Sequence, residues 1–172
     1  MPTNRQTIPR AEREAEILDA AQAAFADDGF EATTVAAVAE RAGMTPANVH
    51  YYFATKDDLF AAVVDRAYRS LLAELDRVPG AVERLRRYVL LHRRTFALRG
   101  AVQSVAARNA TLAACLVARD RWVRRVAGEV APGPLERDVL VAVVTGLIEH
   151  TTPHDDPVAV LEAAIAGVRG RP

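Results

Sequence analysis

The sequence predicts an all-α protein: an N-terminal three-helix bundle with a helix-turn-helix, then a second helical domain, about nine helices in all. Three observations predict it. Hydrophobic residues make up 51% of the 172, with much Ala, Val and Leu and only 6% aromatics, a composition that favours helices. Apolar residues recur at i, i+3 and i+4 in segment after segment, the period of a helix with one buried face. Gly and Pro fall between those segments, where they end or start helices and do not interrupt them.

Residues 1 to 9 form a polar arm closed by Pro9. Arg5 and Arg10 suit a basic arm that reaches a minor groove or a phosphate, and equally a plain flexible tail. The first helix is expected from about Arg10 to Asp27, with Ile17, Leu18, Ala21, Ala24 and Phe25 on its apolar face and Gly29 ending it. Phe30 is expected to tuck beneath the helices that follow.

The most informative stretch is Thr34 to Lys56, TVAAVAERAGMTPANVHYYFATK. Val35, Val38, Ala39 and Ala42 make one apolar face, Thr34 stands before them as an N-cap, and Gly43 follows where a left-handed residue stops a helix without a Cβ clash. Thr45 caps the next helix, Pro46 suits its first position, and Val49, Tyr52 and Phe53 give its inner face. Two short helices around a Gly-containing turn, over about 34–53, match a helix-turn-helix, whose second helix enters the DNA major groove. Thr45, Ala47, Asn48, Tyr51 and His50 are expected to point outward. They are uncharged, give or accept hydrogen bonds, and Ala47 suits a thymine methyl. An ordinary helical hairpin with exposed aromatics fits the same spacing.

After Phe53, Thr55 is placed to cap a fourth helix with Asp58 three residues on. Asp57 and Asp58 suit the positive end of that helix, whereas Lys56 does not, unless it shares a phosphate with the first-turn amides. Lys56 is therefore the leading phosphate-ligand candidate, a solvated loop lysine being the alternative. This helix runs through Leu59, Phe60, Val63, Val64, Ala67, Leu71, Leu72 and Leu75 and should stop near Val78-Pro79-Gly80. The chain is divided here into residues 10–56 and 57–172.

Beyond it, Val82, Leu85, Tyr88, Val89, His92 and Phe96 trace a stripe to Leu98, where Gly100 breaks it. Ala101 to about Asn109 is a short helix, and Thr111 to Glu129 a longer one, with Leu112, Cys115, Leu116, Trp122, Val123 and Val126 leaning one way. Pro134 to Thr151 is apolar around more than half its circumference and calls for burial on two sides. Asp156-Pro157 then caps a last helix. A terminal pair with surplus apolar surface points to a four-helix homodimer interface, for which Leu140, Val144, Leu147, Leu161 and Ile165 are the candidates. Both helices lying inside one chain's core is the alternative.

The run from Ile17 to Leu59 resembles the N-terminal DNA-binding domain of the TetR family of bacterial transcriptional regulators. The residues that carry the resemblance are Ile17-Leu18-Asp19-Ala20-Ala21, Phe25, Gly29-Phe30, Thr33-Thr34-Val35, Val38-Ala39, Ala42-Gly43-Met44, Tyr52-Phe53, Lys56 and Leu59. His50 departs from the pattern where the family usually has a phosphate-contacting tyrosine, and Ala37 departs where an acidic residue is frequent. The resemblance implies a repressor that binds a palindromic double-stranded DNA operator as a homodimer and is released by a small-molecule effector in a regulatory and dimerisation domain. DNA-binding candidates are Thr34, Thr45, Pro46, Ala47, Asn48, His50, Tyr51 and Lys56. Tyr88, His92, Phe96 and Trp122, aromatics with a few polar tips, are the effector-pocket candidates, although each also suits a core.

Composition narrows the alternatives. Formal charge is zero, and the first 56 residues hold five basic groups (Arg5, Arg10, Arg13, Arg41, Lys56) against eight acidic ones, which argues against a polyelectrolyte-type binder. Lys56 is the single lysine among 22 basic residues. Cys115 stands alone, so no internal disulfide or Cys-based zinc site is expected. No apolar run approaches the roughly 20 residues that span a bilayer, and the N-terminus lacks a signal peptide's apolar core, so a cytoplasmic location without membrane contact is expected. His150, His154, Asp155 and Asp156 hold ligand chemistry in close order, but Pro153 breaks the helix between them, and neither a metal nor a cofactor is expected. No nucleophile–base motif is present, so an enzyme is not expected. The competing reading is a DNA-independent helical bundle: a scaffold, or a small lipid-binding or hydrolytic protein.

Overall fold

The computed structural model of the chain describes residues 9–93, 98–150 and 156–170, with only the helix path at 92, 93 and 150. Among these residues the regular structure is nine helices: α1 (Arg10–Ala32), α2 (Val35–Arg41), α3 (Pro46–Tyr52), α4 (Lys56–Asp76), α5 (Ala81–Arg93), α6 (Arg99–Ala106), α7 (Ala110–Val130), α8 (Pro134–His150) and α9 (Pro157–Arg169). The all-α architecture expected from composition and periodicity is what forms. Among the described residues no single helix is long and apolar enough to cross a membrane.

Two boundaries differ from the sequence expectation. Gly29 breaks α1 at φ 78° and ψ 169°, but one more helical turn follows it to Ala32. Thr33 holds that turn: its hydroxyl donates to the Gly29 carbonyl at 2.6 Å, with the Ala24 carbonyl 3.2 Å away, and its N–H reaches Gly29 O at 3.3 Å. Gly100 does not break a helix. It lies in the first turn of α6, where no preceding turn has to close around it.

The described chain falls into two compact units, the first running to Asp65 and adding Ala101–Leu112, the second comprising Arg66–Gly100 and the chain from Ala113 onward. The cut passes through α4, not through the 56/57 position read from the sequence. Leu59, Phe60 and Val63 on the first turns of α4 are buried, and with Ile17, Phe25, Phe30, Val38 and Val49 they belong to the first unit. Phe60 meets Phe25 edge-on at 5.0 Å and Phe30 at 4.7 Å between ring centres, geometries that add to plain burial. The end of α6 joins the same unit through polar contacts with the start of α4. Arg108 pairs bidentately with Asp57 at 2.5 and 3.2 Å, while Asn109 donates to Asp58 at 2.9 Å and caps α7 by accepting from Leu112 N–H at 3.1 Å.

In the second unit Leu75, Leu85, Tyr88, Trp122, Val126, Leu140, Val144, Leu161 and Ile165 form one buried cluster. Its rim is tied by ion pairs between helices: Asp76 at the end of α4 accepts from Trp122 Nε1 at 2.8 Å and Arg125 at 2.6 Å, and Arg84 on α5 pairs with Glu129 on α7. This cluster corrects the reading of the terminal helices. Leu140, Val144 and Leu161 are fully buried within the chain and Ile165 nearly so, leaving them no surface to offer a partner. Leu147 is partly buried against the same cluster. Among the described residues, the large apolar side chains that α8 and α9 expose are Leu135, Val139 and Val160, at 63%, 41% and 49%.

Candidate nucleic-acid interface

The α2–α3 unit is fixed by capping at each of the four ends of its two helices. Thr34 Oγ1 accepts from Ala37 N–H at 3.1 Å, so α2 starts where its hydroxyl says it should. At the other end Met44 N–H bonds Ala39 O at 2.8 Å and Gly43 N–H bonds Glu40 O at 3.0 Å, the paired bonds of a Schellman stop. That stop needs Gly43 at φ 64°, a conformation that an L side chain resists. One residue later Thr45 Oγ1 accepts from Asn48 N–H at 3.3 Å, with Pro46 at the first helical position of α3. Phe53 closes α3 by returning its N–H to Val49 O at 2.9 Å.

Val49 is fully buried and Phe53 nearly so, which decides the way α3 faces. Thr45, Pro46, Ala47, Asn48, His50 and Tyr51 are all exposed, Tyr51 at 71%. The residues predicted from spacing to point outward are thus all exposed, around the buried Val49. His50 is partly committed: its Nδ1–H donates to the Ala54 carbonyl at 3.2 Å, which leaves Nε2 as the ring's second polar atom. Arg41 is engaged with the end of α1, its guanidinium on Asp27 at 2.7 Å and Asp28 at 3.1 Å, and the Asp27 bond holds it above the ordinary arginine range.

Two cations border this face in ways the spacing did not disclose. Arg10, the first residue of α1, places its guanidinium 5.6 Å from the Tyr51 ring centre and 5.5 Å from that of Tyr52, a cation–π contact with both. Lys56 turns its ammonium onto the carbonyls of Phe30 at 2.9 Å and Glu31 at 3.3 Å, 4.4 Å from the Phe30 ring centre. The sequence reading balanced a cation at the start of α4 with a phosphate. Here the carbonyls at the end of α1 supply that balance from within the chain, since the last carbonyls of a helix carry its partial negative charge. Thr55 and Asp58 make the expected cap, Oγ1 donating to the Asp58 carboxylate at 2.8 Å and accepting from its N–H at 3.1 Å.

Of the effector candidates, the structure brings Tyr88 and Trp122 together with ring centres 5.3 Å apart in the second unit. His92 is described only by its place on α5, and Phe96 lies outside the described residues. The residue that spacing missed is Arg119, buried at 7% exposure on α7. A signal existed: Cys115, Arg119, Trp122 and Val126 lie at i, i+4, i+7 and i+11, which puts the arginine on the apolar stripe.

Comparisons with known proteins agree with this geometry. Residues 17–63 match the family model described as bacterial regulatory proteins, tetR family. YfiR, an uncharacterised helix-turn-helix transcriptional regulator of Bacillus subtilis (strain 168), is 35% identical over 65 residues, which is 38% of this chain and 32% of that protein. A TetR-like transcriptional regulator from Rhodococcus sp. RHA1 is 27% identical with a TM-score of 0.57, covering 95% of this chain and 100% of the other. A TetR transcription regulator from Haloarcula marismortui superposes at a TM-score of 0.72 over 92% of this chain and 95% of its own, at 19% identity, a likeness of fold. The chain spans about a third of the length of the curated relatives that it matches.

Proposed function

We propose, from the match of residues 17–63 to the family model of bacterial regulatory proteins, tetR family, that this chain is a transcriptional regulator of that family, acting in the cytoplasm as a homodimer on a palindromic DNA operator. The observation that carries the reading is the exposed surface of α3, capped at both ends, with uncharged hydrogen-bonding side chains and a tyrosine exposed at 71%. Asn48 is suited to a bidentate pair on adenine, Ala47 to a thymine methyl, and Thr45 and Tyr51 to bases or phosphates at either edge. Thr34, Pro46, His50 and Lys56 line the border of the same footprint. Acidity of the N-terminal segment makes affinity depend on this fitted contact more than on bulk charge.

The dimer is proposed on the exposed side of α8 and α9, around Leu135, Val139 and Val160, in place of the buried positions. Two α3 helices about 34–36 Å apart, one DNA turn, then meet the two half-sites. Residues 57–172 are proposed to hold the effector and the dimer contact, with Tyr88, His92, Phe96 and Trp122 about the effector, whose binding releases the operator and makes the protein a repressor. A ligand acts this way only through differential affinity for two arrangements of the dimer. A band shift against genomic fragments of the source organism tests the reading. A retained subset of fragments containing a shared inverted repeat supports it, and uniform failure to bind any fragment at low salt leaves the DNA-independent bundle.

A further inference from the structure

The second unit holds a buried cation, Arg119 on α7. Three arginines of this unit join helices by pairing with an acid on another element: Arg84 with Glu129, Arg125 with Asp76 and Arg124 with Asp138. The Arg125 and Arg124 pairs lie at the surface, where such pairs contribute little, and the more buried Arg84 (12% exposed) meets a half-exposed Glu129. Arg119 is different. Its side chain is 9% exposed, and the carboxylate it meets belongs to Asp120, its own neighbour in sequence. Successive residues on a helix point about 100° apart, so the guanidinium curls back to set both Nε (2.9 Å) and Nη2 (2.7 Å) on the single oxygen Oδ1. This pair connects no two helices. On α4 the Tyr68 hydroxyl oxygen accepts a hydrogen bond from the guanidinium, keeping its own O–H as a donor, and on α5 the Tyr88 hydroxyl faces the same group. Burial raises both hydroxyls above the ordinary tyrosine range, so they stay neutral O–H groups. Trp122, against Tyr88, adds an apolar wall.

We propose that Arg119, with the Tyr68 and Tyr88 hydroxyls, is a carboxylate-recognition site for a small organic acid, and that Asp120 occupies the carboxylate's place when no acid is bound. A guanidinium and two phenolic hydroxyls are donors suited to the oxygens of one carboxylate, and a guanidinium accepts that group bidentately. Asp120 is 61% exposed, so its carboxylate can move into water at small cost and yield the fork to an incoming acid. A neutral ligand offers nothing to displace it with, and an amine is repelled. The apolar surroundings select an acid with a hydrocarbon or aromatic body. This rests on the reading that the second unit takes an effector, and its test is binding alone, without DNA.

The test is calorimetric titration of the full chain with sodium octanoate, using 1-octanol and octylamine as chain-matched neutral and cationic probes. Octanoate should bind and the other two should not. Asp120→Asn removes the internal competitor and should tighten octanoate about 5- to 10-fold, whereas Arg119→Met should weaken it about 10-fold or more, as loss of charge-assisted hydrogen bonds implies. Opposite signs at adjacent residues are the signature, because a merely structural ion pair would lose with either change. Arg119→Lys, which keeps the charge without the fork, guards against misfolding of the methionine variant and should bind more weakly than wild type. Circular dichroism establishes that each variant is folded. Equal binding of octanol, no heat with octanoate in wild type and Asp120→Asn alike, or undiminished binding by folded Arg119→Met and Arg119→Lys overturns the proposal. If octanoate binds as described but leaves DNA binding unaltered, the site stands and its role as the effector switch falls.

Discussion

The helix-turn-helix and the terminal helix pair were read from the same kind of evidence, apolar spacing, and they came out differently. On α3 the residues expected to face outward are exposed and Val49 is buried. On α8 and α9 four of the five residues chosen for a partner surface are instead the chain's own core. The difference lies in contrast. α3 has seven residues, an apolar side of Val49, Tyr52 and Phe53, and a polar side, so the period has one solution. Apolar residues surround more than half of α8, and a period drawn on an apolar background does not say which half faces in. Amphipathicity reports orientation only where there is a polar face to report it.

The largest effect that tests this contrast is in the terminal pair. Leu140→Ala should destabilise the protein by about 2–5 kcal/mol, the range for a fully buried leucine, while leaving association intact. Val160→Asp, on the exposed side, should do the reverse: helical content by circular dichroism is retained, and sedimentation shows a monomer. Melts must be compared at one protein concentration, because association contributes to apparent stability. A Val160→Asp chain that sediments as wild type places the dimer elsewhere or removes it.

The same logic explains what else was legible. Caps are local, so Thr34, Thr45, Asp156 and the Gly43 stop could be read from their immediate neighbours, and the structure shows each of these bonds. Side-chain partners across long separations could not. Nothing near Lys56 in sequence points to carbonyls 25 and 26 residues away, nor near Asp57 to Arg108, 51 residues on. Arg119 lay between: its place on the buried stripe was legible, but the phenols it meets come from other helices.

On the reading face the expected effects are smaller and more specific. Asn48→Ala should cost roughly 1–3 kcal/mol at one operator base pair and relax preference there, with no change in fold. Measured against an operator panel varied one pair at a time, an equal loss on every sequence would move Asn48 from base reading to backbone contact. Thr34 carries two roles that substitution can separate. Thr34→Ala should lower stability by about 1 kcal/mol through the lost cap. Thr34→Asp keeps a capping oxygen and hence the fold, but sets a carboxylate at the border of the proposed footprint. Undiminished DNA affinity in Thr34→Asp would remove Thr34 from the phosphate contacts.

The finest discrimination is at Lys56, which ties the start of α4 to the end of α1. Its ammonium has three hydrogens, and two of its neighbours are the Phe30 and Glu31 carbonyls. A lysine that serves only to tie α4 to the end of α1 should lose stability when shortened and do nothing else. The cation over Phe30 suggests about 0.5–1 kcal/mol for Lys56→Ala, seen as a small fall in the denaturation midpoint. A lysine that also holds a phosphate should in addition flatten the dependence of log affinity on log salt, by about one unit per half-site. Lys56→Met keeps most of the stem against Phe30 and removes the charge, so it isolates the second effect from part of the first. If the slope is unchanged in both variants while stability falls, Lys56 acts on the interface only by anchoring α4, and the phosphate contact at that border passes to another group. The cation nearest the exposed tyrosine is then Arg10, already poised over Tyr51, and Arg10→Ala should show the slope change that Lys56→Ala does not.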